Sequence, residues 1–409
     1  MTKTTKTAII IFSIFIIFVL GLVIFYFYII KSDNQVDDFE EFKDTYIFGR
    51  PTSEVVGGDS IGLATSSQEI IDLGESVNIP KLRKITDSPI AGFVSFEDKN
   101  DVVSVRYIEK ATGHVYEARM NSLTKKRVSN TTIPRVQESV WVDKDSVIIR
   151  YLDENNNIKT FSAEIAEADE GELTDGKIEG VFLSDNMKEV ISLGKNIFYL
   201  LEGTNGSQGF VSSLDGETVS KIFDSPLKEW LIQRPKQGTL TLTMKPSSDV
   251  FSYLYFLNTD TGRMDKKLSE KGLTTLTNKN LSNVLFSKSL VGDFSLSVYD
   301  ILNKEIRTLP LNTLSEKCVW GDNNTDIYCG IPNSVTRGDY PDEWYQGLIS
   351  FSDNVYRLDT ETGSNELLVS PREVAREDID IIEPTLSSDE NYLFFINKKD
   401  FSFWSLELK

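Results

Sequence analysis

One histidine, His114, serves a chain of 409 residues. Serine-based triads and most zinc centres need an imidazole at a fixed place, so those chemistries rest on one candidate. His114 follows the turn-forming Lys110-Ala111-Thr112-Gly113 and precedes a strand-like run from Val115. That position reads as a solvent-facing turn residue and not as a general base. The two cysteines, Cys318 and Cys329, flank VWGDNNTDIY. With Asn323-Asn324 as a hairpin turn they sit opposite each other, within reach of a bridge. In an exported protein a disulfide is expected there, with two reduced buried thiols as the alternative. Nothing has the Cys-x-x-Cys spacing of a redox pair.

Residues of recognition type are densest in GIPNSVTRGDYPDEWYQGL, Gly330–Leu348. Arg337, Asp339, Tyr340, Asp342, Trp344 and Tyr345 are the candidate binding residues, with Glu343 among them. Tyr, Trp and Arg offer large contact area at low entropic cost, and the aromatics could stack on sugar faces. The competing expectation is that Trp344 and Tyr345 fold inward as a cap while the acids stay solvated. DENNNIKTFSAE, Asp153–Glu164, has the acid and amide spacing of a calcium loop. Ile158 occupies its sharp-turn glycine position, and flanking helices are missing from the pattern. A hairpin turn explains the asparagines, so no metal and no cofactor is expected. Phosphate-cradling glycine loops, metalloprotease helices and serine elbows are absent from the sequence. Paired carboxylates need no histidine, which keeps glycan hydrolysis or elimination as the enzymatic alternative. A formal charge of -19, from 62 acidic and 43 basic residues, disfavours nucleic acid as a partner.

The elements that must carry these residues fall into four segments. Residues 1–7 form a short stub with Lys3 and Lys6. Ala8–Ile30 is 23 residues without a charge, about 34 Å as a helix, enough to cross a bilayer. Acidic residues from Asp33 to Glu41 follow it, a bias that favours a cytoplasmic N-terminus and an extracytoplasmic remainder. A cleaved signal peptide would have a shorter apolar region and a small-x-small site, which YFYIIKSDNQ lacks. An uncleaved signal anchor in the lipid bilayer is therefore expected, followed by a polar, glycine-containing linker over 31–80.

From residue 81 to 409 the texture is short runs rich in Val, Ile, Tyr and Phe, broken by Asp, Asn, Thr and Gly turns. This is an all-β pattern. Bulky residues before polar turns recur at Phe96, Trp141, Phe182, Trp230, Leu276, Trp320 and Leu386, at spacings of 45, 41, 48, 46, 44 and 66. That is the period of a four-stranded propeller blade. Seven anchors predict a seven-bladed β-propeller, with six or eight blades as alternatives, and the long gap marks Gly330–Leu348 as an insertion in the sixth blade. LSSDENYLFFI resembles the SPDGKxIAF core of bacterial TolB-like and WD-repeat-like β-propeller repeats. VYRLDTETG and YLYFLNTDTG resemble the strand and turn that follow that core. The chain lacks the Pro-Asp-Gly triplet and the Trp-Asp dipeptide of those repeats. Hydrolases built on such propellers usually carry a separate catalytic domain, so a non-catalytic recognition or scaffold module for a protein or a cell-envelope polymer such as a glycan is expected.

The tail reads as three strands, Glu383–Leu386, Tyr392–Asn397 and Phe401–Leu408, one short of a blade. Pro80–Thr86, an isolated strand-like run, is predicted to supply the missing outer strand and close the ring.

Overall fold

Second strands such as Val103–Glu109 and Tyr392–Asn397 are apolar and buried almost throughout. Strands at the outer edge, such as Lys125–Ser129 and Glu305–Thr308, are polar and largely exposed. This gradient comes from sheets stacked face to face around an axis, which covers both faces of their middle strands. The computed structural model describes residues 78–166 and 176–409, and the apolar segment and all but the last three residues of the expected linker lie outside them. No helix among the described residues is long and apolar enough to cross a membrane.

The strands form seven four-stranded antiparallel sheets, the blades of one ring. First strands contact one another from blade to blade and so form the inner wall. Phe96, Trp141, Leu276, Trp320 and Leu386 lie at or beside the ends of first strands, as the period requires. Two anchors do not. Phe182 ends the fourth strand of blade 2, and Trp230 opens the first strand of blade 4 instead of closing it. A bulky residue before a polar turn marks any strand end, so the signal does not say which strand ends there.

Closure follows the sequence expectation. Leu82–Thr86 pairs with Phe403–Glu407 as the outermost strand of blade 7, with Leu82 opposite Leu406 and Lys84 opposite Trp404. Hydrophobic clusters fill the gaps between blades. Ile85, Ile90, Tyr107, Phe394 and Phe403 join blades 7 and 1. Arginines add polar clamps across the gaps: Arg106 of blade 1 reaches Asp145 and the Lys144 carbonyl of blade 2. Arg150 of blade 2 likewise donates to the Met187 and Lys188 carbonyls of blade 3. Gly92 sits where the first strands of blades 1 and 2 pass closest. A Cβ there would lie 2.4 Å from the Ser139 carbonyl oxygen.

Strand direction alternates within each blade, so every first strand begins on the face that carries the links between second and third strands. The Gly330–Leu348 insertion is such a link, between Asp326–Pro332 and Asp353–Asp359 of blade 6. The closing strand begins at Leu82 on the opposite face.

Candidate functional site: the capped face and the channel mouth

The insertion is a fixed cap and not a free loop. It contains a one-turn helix, Asp342–Tyr345. Its Asp342 carboxylate accepts from the Ser248 amide of blade 4 at 2.6 Å, and its Gly338 amide donates to Gly292 of blade 5 at 3.4 Å. The Ser289 hydroxyl of blade 5 donates to the Tyr340 carbonyl. From blade 7, Lys398 donates to the Trp344 carbonyl at 2.8 Å. One insertion thus ties together the rims of four blades.

The candidate binding residues divide between the two sides of this cap. Tyr340 and Trp344 are only 1% and 4% exposed and pack with Phe294, Leu314 and Phe351. Tyr340 meets Phe294 edge-on at 4.8 Å and stacks on Phe351 at 5.8 Å. The half-buried Tyr345 donates to the Glu316 carboxylate at 2.8 Å, and burial beside that acid raises its phenol well above the ordinary value. Asp342 and Glu343 are half-buried, and Arg337 and Asp339 are exposed. Trp344→Ala is expected to destabilise the ring by about 3–5 kcal/mol, whereas Arg337→Ala should stay within about 0.5 kcal/mol. Urea unfolding of the two variants measures the difference.

Beneath the cap lies a group of charges that carries no sequence motif. Lys317, in the turn Ser315–Lys317 before blade 6, is 0% exposed, and Asp353 and Asp380 are 1% and 0% exposed. The Lys317 ammonium is 2.7 Å from Asp353 Oδ2, contacts Asp380 Oδ1, and donates to the Ile381 carbonyl at 3.0 Å. Asp380 Oδ2 also accepts from the Trp344 indole and the Phe351 amide, each at 3.0 Å. The local hint in the sequence was an acid between isoleucines, Ile379-Asp380-Ile381. Its lysine partner lies 63 positions away and could not be read from spacing.

The channel mouth on the same face is acidic. Glu138, Glu189 and Glu383 stand near the starts of the first strands of blades 2, 3 and 7. Burial raises Glu189 and Glu383 to about 7 each, and the charge of Glu138 adds to both. Blade 1 separates Glu383 from Glu138, so this repulsion acts across the channel. Glu383 is exposed by its contact with solvent, yet burial is the larger cause of its shift. A water-reached channel with protein walls reconciles the two. Lys110, over the Phe401 ring at 3.7 Å, partly offsets the negative charge. Glu316 is also raised to about 7, chiefly by burial.

These carboxyls hold protons in the folded ring that the unfolded chain releases. Their contribution to stability is complete below the ordinary value of 4.5 and is lost as the pH rises through about 7. The urea midpoint is therefore expected to fall between about pH 5 and about pH 8, with a shallower fall in Glu189→Gln/Glu383→Gln. A pH series of unfolding curves for both proteins checks this.

Cys318 and Cys329 are paired across the first two strands of blade 6, with Cα atoms 4.1 Å apart and their sulfurs joined. Asp153 caps its own hairpin by accepting from the Asn155 and Asn157 amides. Among the described residues no group of His, Cys, Asp and Glu is arranged to hold a metal ion. His114 Nε2 lies 3.1 Å from the Thr132 hydroxyl.

No family model and no curated protein matches this chain. Solved structures share its architecture. The β-propeller domain of the Trilobed protease from Pyrococcus furiosus matches with a TM-score of 0.50 at 8% identity, over 79% of this chain and 95% of that one. An oligogalacturonate lyase in complex with manganese matches at 0.46 and 11% identity, over 78% and 97%. TolB from Acinetobacter baumannii matches at 0.39 and 11% identity, over 76% and 78%. At such identities the likeness concerns the fold: the chain is a seven-bladed β-propeller, similar in architecture to the propeller of the Trilobed protease.

Proposed function

We propose that this protein is a recognition module without catalysis, anchored to a membrane by Ala8–Ile30, which holds a protein or a cell-envelope polymer on the capped face of its ring. The observation that carries the reading is the cap itself. Its aromatics are committed to the interior and its polar groups to four blade rims, which leaves a firm outer surface. Arg337, Asp339 and the 71%-exposed Leu348 belong to that surface, and the 91%-exposed Val291 lies on the adjoining blade 5 rim. A preorganised surface loses little entropy on binding.

Deleting the insertion would remove Tyr340 and Trp344 from the core, so surface substitutions make the cleaner test. Crosslinking capture from native membranes should return a partner with the wild-type chain and lose it with Val291→Asp/Leu348→Asp. An unchanged set of captured partners would remove the capped face from the proposal. Fractionation and protease protection of the full chain test the anchor; recovery in the soluble fraction would end that part of it.

A second reading has its own observation: Glu189 and Glu383 are both held near neutrality on either side of Glu138. A carboxyl that is still protonated at neutral pH can act as a general acid in glycan hydrolysis or elimination. This reading predicts turnover of envelope oligosaccharides that falls at least about 100-fold in Glu383→Gln. No turnover by the wild-type chain would dispose of it.

A further inference from the structure

The buried charges under the cap are arranged for chemistry as well as for pairing. We propose that Lys317 and Asp353 condense into an intramolecular isopeptide bond, with Asp380 as the proton carrier, so that the turn entering blade 6 is joined covalently to that blade's third strand beneath the cap.

Four observations support this. First, Lys317 Nζ lies 2.7 Å from Asp353 Oδ2, and neither side chain reaches solvent, so nucleophile and electrophile are held together without competing water. Second, Asp353 Oδ2 accepts from the Ile381 amide at 2.7 Å, a donor placed where negative charge would grow on that oxygen. The other oxygen, Oδ1, is buried with no hydrogen-bond partner, which leaves it free to depart. Third, Asp380 is held as an acceptor by the Trp344 indole and the Phe351 amide while contacting the same ammonium, the position of a base. Fourth, the rings of Trp344 and Phe351 lie 5.4 and 5.2 Å from Nζ and exclude water from the site.

Charge agrees with this geometry. Two carboxylates facing one ammonium in a dry site leave one negative charge unbalanced, and one added proton neutralises the set. Burial, ahead of the opposing effect of Lys317 and the repulsion of Asp380, raises Asp353 to about 6. Burial thus favours the neutral acid form of Asp353, the form that an amine can attack. Two further charged groups stand near the trio: Lys398, whose ammonium burial depresses, and Glu316, whose carboxyl burial raises to about 7.

The step balances. Asp380 takes one proton from the Lys317 ammonium, and Nζ adds to Cγ of the neutral Asp353 acid. A second Nζ proton moves through Asp380 to Oδ1, the Cγ–Oδ1 bond breaks, and water leaves. The product is a secondary amide beside a protonated Asp380. No oxidant, metal or co-reactant is needed.

Mass spectrometry of the full chain tests this after denaturation and reduction of the Cys318–Cys329 disulfide. The wild-type chain is expected to be one water lighter than its sequence. Fragmentation of its tryptic peptides is expected to show a branch from Lys317 to Asp353, with trypsin failing to cut after Lys317. Asp380→Asn keeps the hydrogen-bond acceptor for Trp344 but removes the base. It should fold, by circular dichroism, and carry its full mass. Linear peptides with free Lys317 and Asp353 from folded wild-type protein would overturn the proposal and leave an ion pair. A branch to Asp380 would overturn the assignment of electrophile and base.

Discussion

Lys317→Met is expected to cost the propeller at least about 3–5 kcal/mol, the loss seen when one partner of a buried charge set is removed, and more where the Lys317–Asp353 bond has formed in the wild-type protein. The ammonium contacts both Asp353 and Asp380, and all three side chains are shielded from water. Methionine nearly preserves the volume, so the effect isolates charge from packing. Without Lys317, the acids must either protonate or remain as adjacent buried anions. The destabilisation should therefore be largest above pH 7 and shrink as the solution is acidified. Adding Asp353→Asn to Lys317→Met is expected to recover part of the loss, because one of the stranded charges disappears with its hydrogen-bonding shape kept. Urea unfolding at two pH values measures all three terms. Equal stability of Lys317→Met and wild type would mean that the trio is neutralised by some other route.

Deleting Leu82–Thr86 from the full chain should abolish the cooperative unfolding transition and not merely fray one edge. The segment is five residues long, yet it supplies the fourth strand of blade 7. Its Leu82 packs with Trp404 and Leu406, and its Ile85 packs with Tyr107, Phe394 and Phe403 across the seam to blade 1. Losing two such core side chains costs about 2–5 kcal/mol each, before the lost backbone ladder is counted. A typical domain has only about 5–15 kcal/mol in total. An open ring also exposes the edge of Phe403–Glu407, which invites strand addition by another chain. Differential scanning calorimetry and size-exclusion chromatography are the measurements. A single sharp transition with a monomeric profile would show that the ring does not depend on this closure.

Much of the architecture was legible because its signals are local. Turn residues repeat at nearly the blade period, and strand composition follows from β-branched and aromatic side chains. The same locality explains the errors at Phe182 and Trp230, since a strand end looks alike wherever it falls in a blade. Arg106-Tyr107 and Arg150-Tyr151 stand at matching places in neighbouring repeats, but nothing along the chain shows that these arginines clamp one blade to the next. Each carbonyl that they bind lies on the following blade.

By itself the sequence determined the all-β class, the blade period, the place of the insertion, the closing strand and the opposition of Cys318 and Cys329. Each depends on spacing or on neighbours along the chain. Only the tertiary structure decided which way the insertion's aromatics face. Trp344 and Tyr340 turn inward because Phe294, Leu314 and Phe351 from separate segments offer them an apolar socket. It alone brought Lys317 to Asp353 and Asp380, and set Glu138 within electrostatic reach of Glu189 on the next blade and of Glu383 beyond blade 1. The physical reason is common to both sets. A charge acquires its partner and its dielectric surroundings from residues that the ring brings together, and closing a ring joins positions that no local pattern relates.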